Sequence, residues 1–163
     1  MKKFSLLFIC LTLIFSMLSC KKRIEYRTDA DPIEIADLII EALPKDGGYA
    51  YYDDTQFTLI FDGDILSNEY CAAYSLLSED IDEFGIFRAS NEKEAKDISD
   101  DCQDYIEDKY EDQQAFISSY APEELPKLKN AEVKRFGIYT VYAVMNENDR
   151  EIFFTKVGEI LGQ

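Results

Sequence analysis

Three times in this chain a side chain able to cap a helix stands three residues before a glutamate, and each time a run with helical spacing follows. The three are Asp31-Pro32-Ile33-Glu34, Asn91-Glu92-Lys93-Glu94 and Asn148-Asp149-Arg150-Glu151. A box of this kind satisfies amide donors that the first helical turn leaves without partners. The pattern predicts helices over about 32–43, 92–117 and 149–161. Pro32 suits an opening position, where a missing N–H costs nothing, and Pro44 before Asp46-Gly47-Gly48 ends the first helix.

At 100° per residue, Ala95, Ile98, Cys102, Tyr105, Ile106, Tyr110, Phe116 and Ile117 fall within one arc of about 140°. Asp97, Asp100, Asp101, Asp104, Glu107, Asp108, Glu111 and Asp112 occupy the opposite arc, so this acid run is expected to be a solvated face. Between the helices lie strand-like runs at about 70–77, 84–89, 133–136 and 138–145. Gly137 separates the last two as a bulge or kink in one strand or as a tight turn between two. Residues 49–61 fit a short strand or a short helix, and 118–129, with Pro122 and Pro126, read as a loop. The order α-β-β-α-β-β-α predicts an α+β domain, an antiparallel sheet of about four strands with three helices covering at least one face.

The first twenty residues carry a different message. Lys2 and Lys3 precede a mostly apolar run that is too short to span a membrane comfortably and ends at Ser19-Cys20. Cleavage before Cys20 would leave a cysteine that can take a diacylglyceryl group, and two chains anchor where one does so only marginally. The alternatives are an uncleaved signal anchor or an ordinary secretory signal, and both also put the rest of the chain outside the cytoplasm. We therefore expect a lipoprotein signal peptide over 1–19, a lipid-anchored tether over 20–30 and a single domain over 31–163, on the outer face of the cytoplasmic membrane. Lys21, Lys22 and Arg23 add attraction to anionic headgroups.

Charge narrows the function classes. Loss of Lys2 and Lys3 from 17 basic residues leaves 15 against 33 acidic, a formal −18. Nucleic-acid binding calls for the opposite sign gathered on one face, and that class is excluded. The same excess repels an anionic surface, so the domain is expected to stand off the membrane. With no histidine in the chain, histidine triads, histidine bases and mixed zinc sites are excluded as well. No Gly-rich phosphate loop, Ser-x-x-Lys or Cys-x-x-Cys is present.

The remaining candidate sites each have a plain structural alternative. Asp62-Gly63-Asp64, with Asn68, Glu69, Asp53 and Asp54 near it in sequence, offers oxygen ligands for a cation, but Leu66 and Ser67 break the EF-hand pattern and Asp-Gly is ordinary turn chemistry. Tyr49, Tyr51 and Tyr52 follow a glycine pair and form either a contact surface for a partner or an edge strand packed on the core. Tyr120 is expected to cap the end of the long helix rather than face a cleft. Cys71 and Cys102 form either a disulfide or two buried reduced thiols, the second being the plainer reading, and the place of Cys102 on the apolar stripe argues for a structural thiol or bridge and against an exposed nucleophile. Among so many acids a hydrolytic carboxylate pair could arise by chance, and no acid, base or nucleophile is distinguished by its surroundings.

The stretch Asp82-Glu83-Phe84-Gly85-Ile86-Phe87-Arg88-Ala89 leads into the long helix, Tyr120-Ala121-Pro122-Glu123-Glu124 follows it, and Arg135-Phe136-Gly137-Ile138-Tyr139 leads into the final strand and helix. In this order and spacing, from Tyr70 to Leu161, the chain resembles the domain of unknown function 4358 family of Gram-positive lipoproteins and secreted proteins. The resemblance implies a lipid-anchored or secreted α+β domain and brings no activity, ligand or catalytic residue; Cys71 and Cys102 stand outside its pattern. The expected function is that of a non-enzymatic binding or accessory protein, without a cofactor, for another envelope protein. The alternatives are a cation or small-solute binder using Asp62 and Asp64, and a hydrolase with an unrecognised carboxylate pair.

Overall fold

The computed structural model describes residues 24–44, 47–61, 65 and 68–162. The chain forms helix α1 (Pro32–Ala42), strand β1 (Tyr49–Tyr51), helix α2 (Asp54–Ile60), strands β2 (Glu69–Ser75) and β3 (Glu83–Arg88), helices α3 (Glu92–Tyr120) and α4 (Leu125–Lys129), strands β4 (Glu132–Phe136) and β5 (Tyr139–Val144), and helix α5 (Glu147–Leu161). The strands make one sheet in the order β1-β2-β3-β5-β4, with every neighbouring pair antiparallel. The α+β class is as expected, while the described residues hold five strands and five helices rather than four and three.

Both faces of the sheet are covered, so strand parity sorts the core into two layers. Cys71, Ala73, Phe84, Ile86, Val141 and Ala143 face α1 and α5. Ala72, Phe87, Tyr142 and Val144, their sequence neighbours, face α2, α3 and α4. All six residues of β5 are buried, which suits a strand covered on both sides.

The differences in element count have local causes. Residues 49–61 form both a strand and a helix: β1 ends where the Asp53 side chain accepts from the Gln56 amide and the Gln56 side chain accepts from the Asp53 amide, a complete capping box. Within 118–129, read as loop, α3 runs on to Tyr120 and Pro126 sits in the first turn of α4, where proline is tolerated. Gly137, at φ +65°, makes a tight turn in which Phe136 pairs with Tyr139. Positive φ at the first turn position alone is the type II′ pattern that matches strand twist.

Asp31 and Asn91 cap α1 and α3 as expected, but Glu94 accepts from the Ser90 amide instead of closing its box on Asn91. The cap of α5 is Asn146, whose side chain accepts from the Asp149 amide at 3.0 Å, so this helix starts two residues before the expected point. Phe116, assigned to the buried stripe, is 66% exposed. The 29-residue α3 is about 43 Å long, roughly twice the span of a six-residue strand, so its last turns pass the sheet and only Ile117 finds cover there. Residues 26–30, expected as tether, lie on the domain: Tyr26 bridges Gly162, and Ala30 is buried with its carbonyl accepting from Tyr139 at 2.8 Å. No helix of the described residues is long and apolar enough to cross a membrane.

Candidate functional site

Asp82 immediately precedes β3 and Glu83 opens it, and as neighbours in extended chain they send their side chains to opposite faces. Glu83 is 2% exposed and lies among four donors. Its Oε1 accepts from the hydroxyls of Tyr105 and Tyr142, each at 2.7 Å, and its Oε2 accepts from Tyr52 at 2.9 Å and pairs with the Lys109 ammonium. Lys109 also donates to the Tyr105 hydroxyl oxygen at 3.0 Å, one helical turn away on α3. Gly85 makes room for Tyr142: a Cβ there would stand 2.3 Å from the Tyr142 ring.

Burial alone would raise the pKa of Glu83, but the charge of Lys109 and the hydrogen bonds from Lys109, Tyr105 and Tyr142 outweigh it and hold this carboxyl below its ordinary range. Burial, joined by the neighbouring carboxylate, pushes the hydroxyls of Tyr52, Tyr105 and Tyr142 far up, so they remain donors. The cluster is a satisfied, formally neutral unit.

Tyr52, Tyr105 and Lys109 also line an open groove of about 830 Å³ between α2 and α3. One wall carries Asp97, Asp101, Asp104, Asp108 and Asp112, which share an arc of about 80° on α3. The other is apolar, formed by Leu59, Ile60 and Phe61, with Leu59 84% exposed.

A second charged cluster sits at the end of the sheet, where β2 turns into β3. The Lys127 ammonium on α4 lies 2.8 Å from Asp80, 2.9 Å from Asp82 and 2.8 Å from Glu124. Among the described residues this carboxylate trio is the grouping able to hold a metal ion, and an ammonium of the chain itself occupies its centre. Burial works against the charge on Lys127, but the three carboxylates more than offset it and hold the pKa above the ordinary lysine value.

The expected site residues are dispersed. Cys20, Asp62 and Asp64 lie outside the described residues. Asp53 caps α2, and Asp54 accepts from Tyr70 at 3.3 Å. Asn68 is half-buried, while Glu69 pairs with Arg88. The tyrosine trio does not form one surface: Tyr49 packs edge-on to Phe84, Tyr51 donates to Asp37 on α1, and Tyr52 serves Glu83 from the other side of the sheet. Tyr120, 76% exposed, lies against the Phe116 ring at a tilt in the open instead of capping α3. Cys71 and Cys102 are free, buried thiols in opposite layers, so the sheet itself stands between them and the disulfide is not formed.

Glu83, Lys109 and Lys127 were not singled out by the sequence. The one signal available was Asp80-Ile81-Asp82-Glu83, three acids at the mouth of an apolar strand where a pleat must bury at least one.

A family model described as Domain of unknown function (DUF4358) matches residues 64–145, which takes in the Lys127 cluster, the acidic wall and all of the Glu83 cluster except Tyr52. No curated protein and no solved structure matches the chain.

Proposed function

We propose that this chain, which belongs to the domain of unknown function 4358 family, is a lipid-anchored, non-catalytic binding module that serves another envelope protein from the outer face of the cytoplasmic membrane. The observation that carries this reading is the groove between α2 and α3, where the strongly exposed Leu59 faces solvent beside a row of charge. Leu59 and the half-buried Ile60 give the groove an apolar edge opposite its charged wall, and this combination supports the reading of a contact surface. Glu83 is unsuited to the general-acid role of a hydrolytic pair, which needs a raised carboxyl pKa, because this one is depressed and its oxygens are taken by four donors. The contact surface is therefore assigned to the groove, and of the tyrosine trio only Tyr52 reaches it. Cys20 is the proposed lipid site.

Chemical crosslinking in intact cells, with a Cys20→Ala secreted control, tests this reading. We expect one partner to be retained through denaturing purification at near-stoichiometric yield from the anchored form and to be lost from the control. Retention of nothing above background from either form would overturn it.

A further inference from the structure

Resting on that reading, we propose that the anchored domain stands upright on the bilayer, with the β4–β5 turn toward the lipid and the last turns of α3 pointing away. From Cys20 to Tyr26 there are six residue steps, which span at most about 22 Å when fully extended. Tyr26 is where this leash is made fast. It bridges Gly162, its ring packs edge-on to Phe136, and a Cβ at Gly137 would stand 3.3 Å from its own. The residues that follow continue the attachment at the same end of the sheet. The Arg27 amide donates to the Leu161 carbonyl at 2.9 Å, and the Ala30 carbonyl accepts from Tyr139.

The long helix sets the direction. Arg135, beside the turn, donates to the Glu92 carbonyl at 3.4 Å, so α3 begins at the anchored end. The Ala95 carbonyl then accepts from Thr140, while Lys109 meets Glu83 at the opposite end of the sheet. A domain of this size is about 40 Å across, so setting the far end against lipid would lift Tyr26 well beyond the reach of its leash. Lying on either helical face is within reach but sets like charge against an anionic bilayer, because α1 shows Glu34, Asp37 and Glu41 on one side and α3 its aspartates on the other. At the anchored end Arg27 pairs with Asp29 and Arg88 with Glu69, and the leash itself carries Lys21, Lys22 and Arg23. In the upright domain the groove between α2 and α3 opens sideways, with Asp97 and Asp112 about 8 and 30 Å above the start of α3. Even with the leash at full stretch, the groove lies within about 50 Å of the bilayer. That height fits an envelope protein that is itself held at the membrane.

The test uses the lipidated chain purified from membranes, with a fluorescent amino acid at position 93 or at position 120, the two ends of α3. It is inserted into vesicles of phosphatidylcholine and phosphatidylglycerol that carry an acceptor dye on their headgroups. Both positions are open to solvent, the Lys93 side chain 88% and Tyr120 76%. Energy transfer should place position 120 about 30–40 Å farther from the headgroups than position 93. Inserting about twenty Gly and Ser residues after Arg23 should free the domain to turn and cut that difference by about half or more. Equal distances on the native leash, a closer position 120, or a difference that survives the long leash would each overturn the upright assignment and leave the anchored reading standing. A mass for the purified chain without a diacylglyceryl group on Cys20 would overturn both.

Discussion

The two charged clusters of this domain invert one another. At Glu83 one carboxylate meets one ammonium and three neutral hydroxyls, a formal balance of zero, with the ion pair 12% and 3% exposed. At Lys127 one ammonium meets three carboxylates, a formal −2, with exposures of 14% for Lys127 and 12%, 1% and 11% for Asp80, Asp82 and Glu124. The balanced cluster lies beneath α3, and neutral donors fill its acceptors. The unbalanced one sits at the sheet end and draws further donors from the Ile81 amide to Glu124, the Asp82 amide to Asp80 and the Ser75 hydroxyl to Asp80. Burial of the two is similar, with Asp82 covered as fully as Glu83, and what differs is the company: side-chain hydroxyls complete the balanced cluster, while backbone amides help carry the surplus charge of the other.

The largest effect is expected from Lys109→Met, which leaves Glu83 buried without its counter-charge and should cost about 3–5 kcal/mol in urea unfolding. Adding Glu83→Gln should return a good part of that loss, since glutamine still accepts from the tyrosines. A single variant as stable as the parent would break the contrast, because Glu83 would then not depend on its partner.

Lys127→Met should cost less, about 2 kcal/mol at neutral pH, by leaving three carboxylates to repel one another. Its loss should shrink as the pH falls and the acids protonate. Millimolar calcium should raise the Tm of this variant and leave the parent unchanged, since the trio gains a vacancy only when the ammonium is gone. Equal calcium shifts in the two proteins would refute this account of the trio.

The smallest effect is in the pH profile of the parent. The folded pKa of Glu83 lies below its unfolded value, so its contribution is present above about pH 4–5 and is lost as the pH falls through the folded value. Lys127 and the tyrosines at Glu83 are raised, so their contributions are present below about pH 10 and are lost as the pH rises. Thermal unfolding across pH should give a plateau between these limits, and Glu83→Gln should soften the acid limb while sparing Lys127's share of the alkaline one. An acid limb unchanged by Glu83→Gln would assign it to other carboxylates.

What the sequence disclosed was local. Asp31 and Asn91 announce their helices because a cap is written within four residues of the turn it serves. Asp53-x-x-Gln56 was equally legible and would have placed α2. At α5, Asn146 and Asn148 are both plausible caps by type, and only the fold selects the one whose side chain meets the Asp149 amide. The sites are the reverse case. Tyr52, the helical turn carrying Tyr105 and Lys109, and Tyr142 come from three separated points in the chain and meet Glu83 only after the sheet brings β5 beside β3. Asp80 and Lys127 are 47 residues apart, and among 33 acids nothing local marks Asp80 as the one that pairs. The acidic face of α3 was visible from its periodicity, but its role as a wall was not, because the opposite wall is α2.

The separation of Cys71 from Cys102 has a kinetic use. Each layer holds one free buried thiol, and burial pushes both up, Cys71 to about 12. A thiol that rarely ionises in place reacts with a modifying reagent mainly when its surroundings open. The two cysteines are therefore separate clocks, one timing the release of α1 and α5 from the sheet and the other timing the release of α3. Whether they run together or apart tells whether this domain comes undone as one cooperative body or one leaf at a time.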